Sequence, residues 1–179
     1  EPSRSATLYA VDAARAAGGL VSYDPNLRLP LWPDADAARK GLLLGLSKAH
    51  IVKLSDDESE FLTGLSDLKA ACQALWHEDL KLMVVTRGRA GCVYFTPNFT
   101  GMVESFTVEA VDATGAGDGF VAGLLQGLLA DPSVVQDETR LRELCRFANA
   151  VGALATTERG AIPALPDRER VREFLSSRE

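Results

Sequence analysis

Apolar residues change their spacing along the chain, and the changes mark out elements. Leu8, Val11, Ala14 and Ala17 recur at the interval of one helix face, so residues 5–17 predict a helix that Gly18-Gly19 ends. Leu20-Val21-Ser22-Tyr23 predicts a short strand that leads into the loop Asp24-Pro25-Asn26-Leu27-Arg28. Residues 34–48 return to helical spacing, with Asp34 placed to cap the first turn. A second strand is predicted over 50–54. Ser55 and Asp56 are placed to cap a short helix through Leu62, which Gly64 stops, and 68–76 predict another helix. Leu82-Met83-Val84-Val85 is the most apolar stretch and predicts a central strand. Gly88 and Gly91 make a turn, Cys92-Val93-Tyr94-Phe95 is the next strand, and 97–101 form a hairpin-type loop. Residues 102–111 predict one or two further short strands. A glycine-rich turn over 112–119 opens an apolar helix through Leu129, and helices follow at 138–157 and 167–176.

Strands and helices alternate through the first half. That order predicts βαβ crossovers and an α/β fold, with a mostly parallel sheet covered by helices. There are no repeats or low-complexity tracts. Residues 130–137, the one candidate linker, are short enough to be an interhelical loop. Trp32, Trp76 and Phe147 are expected in the core, and His50 and His77 are expected to be structural or exposed.

Composition narrows the partners. A net charge of −6 and a pI near 5.0 argue against nucleic acid and anionic membranes. Cys72, Cys92 and Cys145 are far apart and form no CxxC pair, so free buried thiols in a reducing, cytoplasmic setting are expected. With two histidines, a zinc site is not expected. No apolar run reaches the ~18 residues of a membrane span. The chain opens on Glu1-Pro2 rather than Met, which leaves an upstream targeting segment open.

The chemistry concentrates in Val111-Asp112-Ala113-Thr114-Gly115-Ala116-Gly117-Asp118-Gly119, directly before the apolar helix. Small residues leave backbone N–H groups uncovered at a helix N-terminus, which attracts phosphate oxygens. A carboxylate in that first turn repels phosphate. Asp118 therefore either favours the helix start alone or acts as a base toward a hydroxyl attacking the phosphate. No Gly-Lys-Ser/Thr follows, so this is not a Walker A loop.

DATGAGDG at 112–119 closely resembles the C-terminal signature of PfkB-type sugar kinases, the ribokinase family. TRGRAG at 86–91, SDDESEFLTG at 55–64 and FANAVGALATTERGAIPALP at 147–166 resemble further segments of that family, in its order. SYDPNLRLPLWPDADAAR at 22–39 looks like the fructokinase branch. The resemblance implies a ribokinase-like three-layer α/β/α sandwich. It implies Asp118 as catalytic base facing the substrate, with Gly115, Ala116 and Gly117 donating N–H groups to the phosphoryl group. Gly115 and Gly117 would also supply backbone freedom there. Thr86, Gly88 and Gly91 would line ATP, with Asn149 near its adenine or ribose. Glu58 matches a glutamate that organises Mg²⁺ through water. Ser55 stands where the family has Asn, a departure that puts its direct phosphate contact in doubt. Asp112, Thr114, Ala155, Glu158, Gly160 and Ala164 match a monovalent-cation site, expected to take K⁺ largely through carbonyl oxygens. Arg28 steadies a phosphate or faces the sugar, or else Asp24 and Asn26 simply tie their loop.

Segments that hold the sugar pocket and lid in this family do not appear. The 179 residues are therefore expected to be the C-terminal, nucleotide-binding part of a single kinase domain, inactive and aggregation-prone when isolated. Val84, Val85 and residues 20–23 are the positions expected to lose cover. The activity implied for the parent protein is ATP-dependent conversion of D-fructose to fructose 6-phosphate. The alternatives are another PfkB sugar kinase (a 2-keto-3-deoxygluconate kinase or ribokinase) or a non-catalytic PfkB-like binding or regulatory protein. A homodimer is left open.

Overall fold

Helix α1 (Ser3–Ala16) has no buried residue, although its apolar spacing is that of a core-facing helix. Leu8 and Val11 are half-buried and Tyr9 is 77% exposed. Charged contacts hold the helix instead. Lys48 pairs with Asp12 at 2.6 Å, and Arg15 pairs with Asp79 at 2.6 Å while donating to the Lys48 carbonyl at 2.7 Å. The structure is a computed structural model and describes residues 1–178. It divides into two compact units, Glu1–Val85 and Thr86 onward.

In the first unit the strand order is β1 (Ser22–Tyr23), β2 (Ile51–Ser55), β3 (Leu82–Thr86), and β1 and β2 run parallel with Ser22 opposite Ile51. Between β1 and β2 lies α2 (Ala35–Leu46); α3 (Asp56–Thr63) and α4 (Leu68–Leu75) lie between β2 and β3. Each of these helices starts where the sequence supplies an acceptor. Asp34 accepts from the Ala37 N–H at 2.7 Å, Asp67 from the Ala70 N–H at 2.8 Å, and Ser55 and Glu58 form a reciprocal capping box. The core is Val52, Leu54 and Leu82 to Val85, joined by Ala38, Leu42 and Leu46 at four-residue spacing on α2. Val84 and Val85, expected to lose cover, are fully enclosed. Leu20, in the other segment expected to lose it, is 46% exposed. Trp32 and Trp76 are half-buried rather than core residues. Both histidines have structural roles: His50 Nδ1 accepts from the Val21 N–H at 2.9 Å, and the His77 ring meets the Leu46 carbonyl at 3.1 Å.

In the second unit β4 (Cys92–Phe95) and β5 (Thr100–Val103) form an antiparallel hairpin with Cys92 opposite Val103. Of residues 102–111, expected to form one or two short strands, Met102 and Val103 end β5 and 104–111 are not a strand. Their backbone partners lie elsewhere. Asn149 takes the carbonyls of Val103 and Glu104, and the Thr156 carbonyl takes the N–H groups of Val111 and Asp112. Helices α5 (Ala116–Ala130), α6 (Glu138–Ala155) and α7 (Arg168–Ser176) complete the unit, with residues 132–136 as a 3-10 turn rather than an open loop. Gly119, Gly123 and Gly127 form one face of α5 at four-residue spacing. A Cβ on Gly127 would lie 2.3 Å from Leu144, and one on Gly123 3.1 Å from the Ala148 Cα, so this bare face lets α6 approach closely. Phe147 is half-buried beside the cluster of Ala150, Val151, Leu154 and Val171. All three cysteines are free and buried. Among the described residues no helix is long and apolar enough to cross a membrane.

Candidate active site

Gly115 sets the entry to α5. Its φ of +83° is left-handed, and a Cβ there would sit 2.9 Å from the Ala161 Cα, so both conformation and space demand glycine. Gly117 lies inside the helix and is not among the left-handed glycines, so its expected need for backbone freedom does not hold. No side chain caps the helix. The Ala116 N–H, expected to be free for phosphate, instead donates to the Ala113 carbonyl at 3.2 Å. The N–H groups of Gly115, Gly117 and Asp118 have no acceptor among the described residues. The open donors thus keep Gly115 and Gly117 from the expected set, with Asp118 in place of Ala116. Asp118 is exposed in the first turn, and its carboxylate has no hydrogen-bond or ion-pair partner among the described residues.

Asp112 ties this turn to a distant loop. Its Oδ1 accepts from the Thr114 N–H at 2.9 Å and the Thr114 hydroxyl at 2.7 Å, and its Oδ2 accepts from the Gly160 N–H at 3.1 Å. Those bonds, the Thr114 hydroxyl foremost, hold the carboxyl below the usual carboxylate range. Asp112, Thr114 and Gly160 are thus brought together as expected. Ala155 and Ala164 are fully buried, and the Glu158 carboxylate is committed to Arg170 at 2.8 Å. The residues fit a monovalent cation better than a transition metal. A transition metal would need a cluster of nitrogen, sulfur or carboxylate ligands, and no group of three or more His, Cys, Asp or Glu occurs among the described residues.

Beside this turn lies a cavity of about 470 Å³ within the second unit. Thr86, Gly88 and Gly91 line it from the turn between β3 and β4, and Ala113, Ala116 and Gly117 from the start of α5. Asn149 lines it from α6. It is buried, not exposed as helical asparagines usually are, and its Nδ2 donates to the Val103 and Glu104 carbonyls, each at 3.2 Å. Its role is thus to hold the chain leaving β5 against the cavity wall. That chain supplies Phe106 and Val108, which the strand expectation for 102–111 did not connect to a site. Gly152 on α6, also in the wall, admits the first turn of α5: a Cβ there would meet the Ala116 carbonyl at 3.0 Å.

The remaining predicted residues gather in the first unit. Glu58 is buried, although Asp56, Asp57 and Glu60 around it are exposed. Its Oε2 accepts from the Ser55 N–H and its Oε1 from the Leu27 N–H, both at 2.8 Å. Ser55 accepts from the Glu58 N–H at 3.1 Å, so its hydroxyl serves as the helix cap its position predicts. Asp24, on the same loop as Leu27, pairs with the buried Lys53 at 3.2 Å. Burial foremost pushes the Asp24 carboxyl up against the pull of Lys53, and burial pushes the adjacent Tyr23 phenol to about 12. Arg28 is exposed and donates to the Leu27 carbonyl at 2.9 Å. The loop is therefore tied at two points, the structural reading of Asp24, while the Arg28 guanidinium stays at the surface.

Sequence and structure comparisons agree on what these features belong to. The chain is 52% identical over 176 residues to probable fructokinase-4 of Arabidopsis thaliana, covering 98% of this chain and 54% of that protein. The fructokinase of Vibrio cholerae, in a form with fructose, ADP and potassium ion bound, superposes with a TM-score of 0.91 at 37% identity, over 98% of this chain and 56% of that one. An ATP-bound fructokinase from Xylella fastidiosa gives 0.88 at 35% identity, over 96% and 56%. The chain thus spans about half the length of these relatives, and its fold is the ribokinase-like α/β fold they share. The family model described as pfkB family carbohydrate kinase matches residues 1–168, taking in both the Glu58 segment and the turn that carries Asp118. This chain belongs to the pfkB family of carbohydrate kinases.

Proposed function

We propose that the protein containing this chain transfers a phosphoryl group from ATP to a sugar hydroxyl, and that the sugar is D-fructose, giving fructose 6-phosphate. The observation that carries this reading is Asp118: an exposed carboxylate without a partner among the described residues, one residue from Gly117 in the cavity wall, beside backbone donors that those residues leave open. An anion-binding turn does not need that carboxylate, and a base does. The fructose and ADP bound by the Vibrio cholerae relative and the ATP bound by the Xylella fastidiosa one support the choice of substrates.

In this reading the N–H groups of Gly115, Gly117 and Asp118 hold the oxygens of the group in transfer, fixed in place by the helix and stabilising charge as it develops. Asp118 takes the proton from the attacking hydroxyl. The cavity between the 86–91 turn and α6 receives the nucleoside, with Asn149 fixing the wall rather than reading the base. Glu58 is the carboxylate that would organise Mg²⁺ through water. Asp112 and the carbonyls of 155–164 would hold K⁺, the ion present in the Vibrio cholerae relative. The test is fructose- and ATP-dependent ADP release by the whole protein against Asp118→Asn. The variant should lose about 10²–10⁴-fold in kcat with unchanged melting. Near-wild-type turnover would return the protein to the binding or regulatory class.

A further inference from the structure

Among the residues lining the cavity, Arg89 is the one with a formal charge, in a chain whose net charge is −6. The rest of the wall is backbone, hydroxyl, amide and apolar surface. Arg89 is exposed on the 3-10 turn at 88–90, and its guanidinium has no hydrogen-bond, ion-pair or ring partner among the described residues. Its neighbour on the turn, Arg87, is engaged: the guanidinium meets the Met102 sulfur at 3.8 Å, and the backbone N–H donates to Gly91 at 2.7 Å. Three other cations of this unit are committed, and Arg159 acts on Asp112. Arg170 pairs with Glu158, Arg142 donates to the Met102 carbonyl, and Arg146 lies over the Phe106 ring. A free guanidinium on a wall with no anion of its own complements a ligand that brings the anion with it.

We propose that Arg89 binds the phosphates that remain on the nucleoside diphosphate, not the phosphoryl group in transfer. The inference rests on the kinase reading above. Donors that accelerate transfer must be fixed where charge develops. The backbone groups at the start of α5 meet that demand; a long side chain on an exposed turn does not. Arg89 therefore grips substrate and product alike, through the forked geometry that suits phosphate. Such uniform binding appears in KM and in product affinity, and leaves kcat unchanged.

The experiment compares the whole wild-type protein with Arg89→Ala and Arg89→Lys, using ADP and adenosine as binding probes and ATP turnover as the kinetic one. Arg89→Ala should weaken ADP binding and raise KM for ATP by the same factor, about tenfold for lost charge-assisted hydrogen bonds. Adenosine affinity, KM for fructose, kcat and melting temperature should stay at wild-type values. Arg89→Lys should recover part of the loss, and choline chloride should narrow the gap between wild type and Arg89→Ala by screening. Unchanged ADP affinity in Arg89→Ala overturns the assignment, as does a fall in kcat with KM unchanged. If the wild-type protein binds neither ADP nor adenosine, the kinase reading falls and takes this one with it, an outcome visible without either variant.

Discussion

Asp112 Oδ2 accepts the Gly160 N–H at 3.1 Å, joining the turn before α5 to a loop 48 residues further along the chain. The same carboxylate holds Thr114 through Oδ1. A cation seated among the carbonyls of these two loops would brace the turn that carries the open N–H donors. The whole protein should therefore turn over faster in potassium chloride than in choline chloride at equal ionic strength. Asp112→Ala, which releases both loops, should remove that difference. Identical wild-type rates in the two salts would take the cation out of the mechanism.

Two glycines with similar left-handed backbone separate conformation from space. Gly64 ends α3 with a φ of +73° and has nothing within 4 Å of an added Cβ. Gly115 has a φ of +83° with Ala161 Cα 2.9 Å from that position. Gly64→Ala should cost about 1 kcal/mol, the penalty for an L-residue in that region. Gly115→Ala should cost more in urea unfolding, and should lower turnover by shifting the donors at the start of α5. Equal losses in the two variants would show that the 160 loop yields without consequence.

Local rules made much of the fold legible. Asp34 and Ser55 each precede a helix by one residue, and a cap needs only its own first turn. The apolar run at 82–85 reads as an enclosed strand because nothing polar interrupts it. What the sequence concealed depends on partners far along the chain. The sequence predicts strand through 104–111, but the Glu104 carbonyl accepts from a side chain on α6, 45 residues away. The spacing of α1 defines a face without saying what covers it. Glu58 is flanked by the exposed Asp56, Asp57 and Glu60, and it is buried because the loop at Leu27, 31 residues earlier, closes over it. Arg87 and Arg89 look alike in TRGRAG, and only the turn's geometry sends one toward Met102 and the other to the cavity wall.

The ion pair between Lys53 and Asp24 leaves their side chains 11% and 17% exposed. Removing one member should cost more than removing both. Lys53→Met leaves a half-buried carboxylate uncompensated and should destabilise by roughly 3 kcal/mol at neutral pH. Adding Asp24→Asn should recover most of that. Burial already holds Asp24 above its usual value against the pull of Lys53, so losing Lys53 raises it further. A carboxyl raised by folding contributes stability below its unfolded pKa and loses it as pH rises through the folded value. The defect in Lys53→Met should therefore shrink as pH is lowered toward 4, the ordinary carboxylate range. A penalty that is flat with pH, and the same in the double variant, would show that lost packing of the lysine stem is responsible.

Glu58 offers a final separation, between holding the fold and holding a cation. Its two oxygens each accept one backbone N–H at 2.8 Å, from Leu27 and from Ser55. Glutamine has the same shape but one acceptor oxygen, so Glu58→Gln must surrender one of these bonds and turn an NH₂ group toward a backbone N–H. Charge-assisted bonds to a buried carboxylate contribute about 1.5–3 kcal/mol each, and the variant should lose stability on that scale. The loss should appear without magnesium, because the bonds are made by the protein alone. If Glu58 also organises Mg²⁺ through water, the variant should need more magnesium to reach half its maximal rate, at a temperature where it remains folded. Each carboxylate oxygen has a second lone pair, so the two roles are compatible in the wild-type protein. A lower melting temperature with an unchanged magnesium requirement would assign Glu58 to the architecture of the 24–28 loop and withdraw it from the cation.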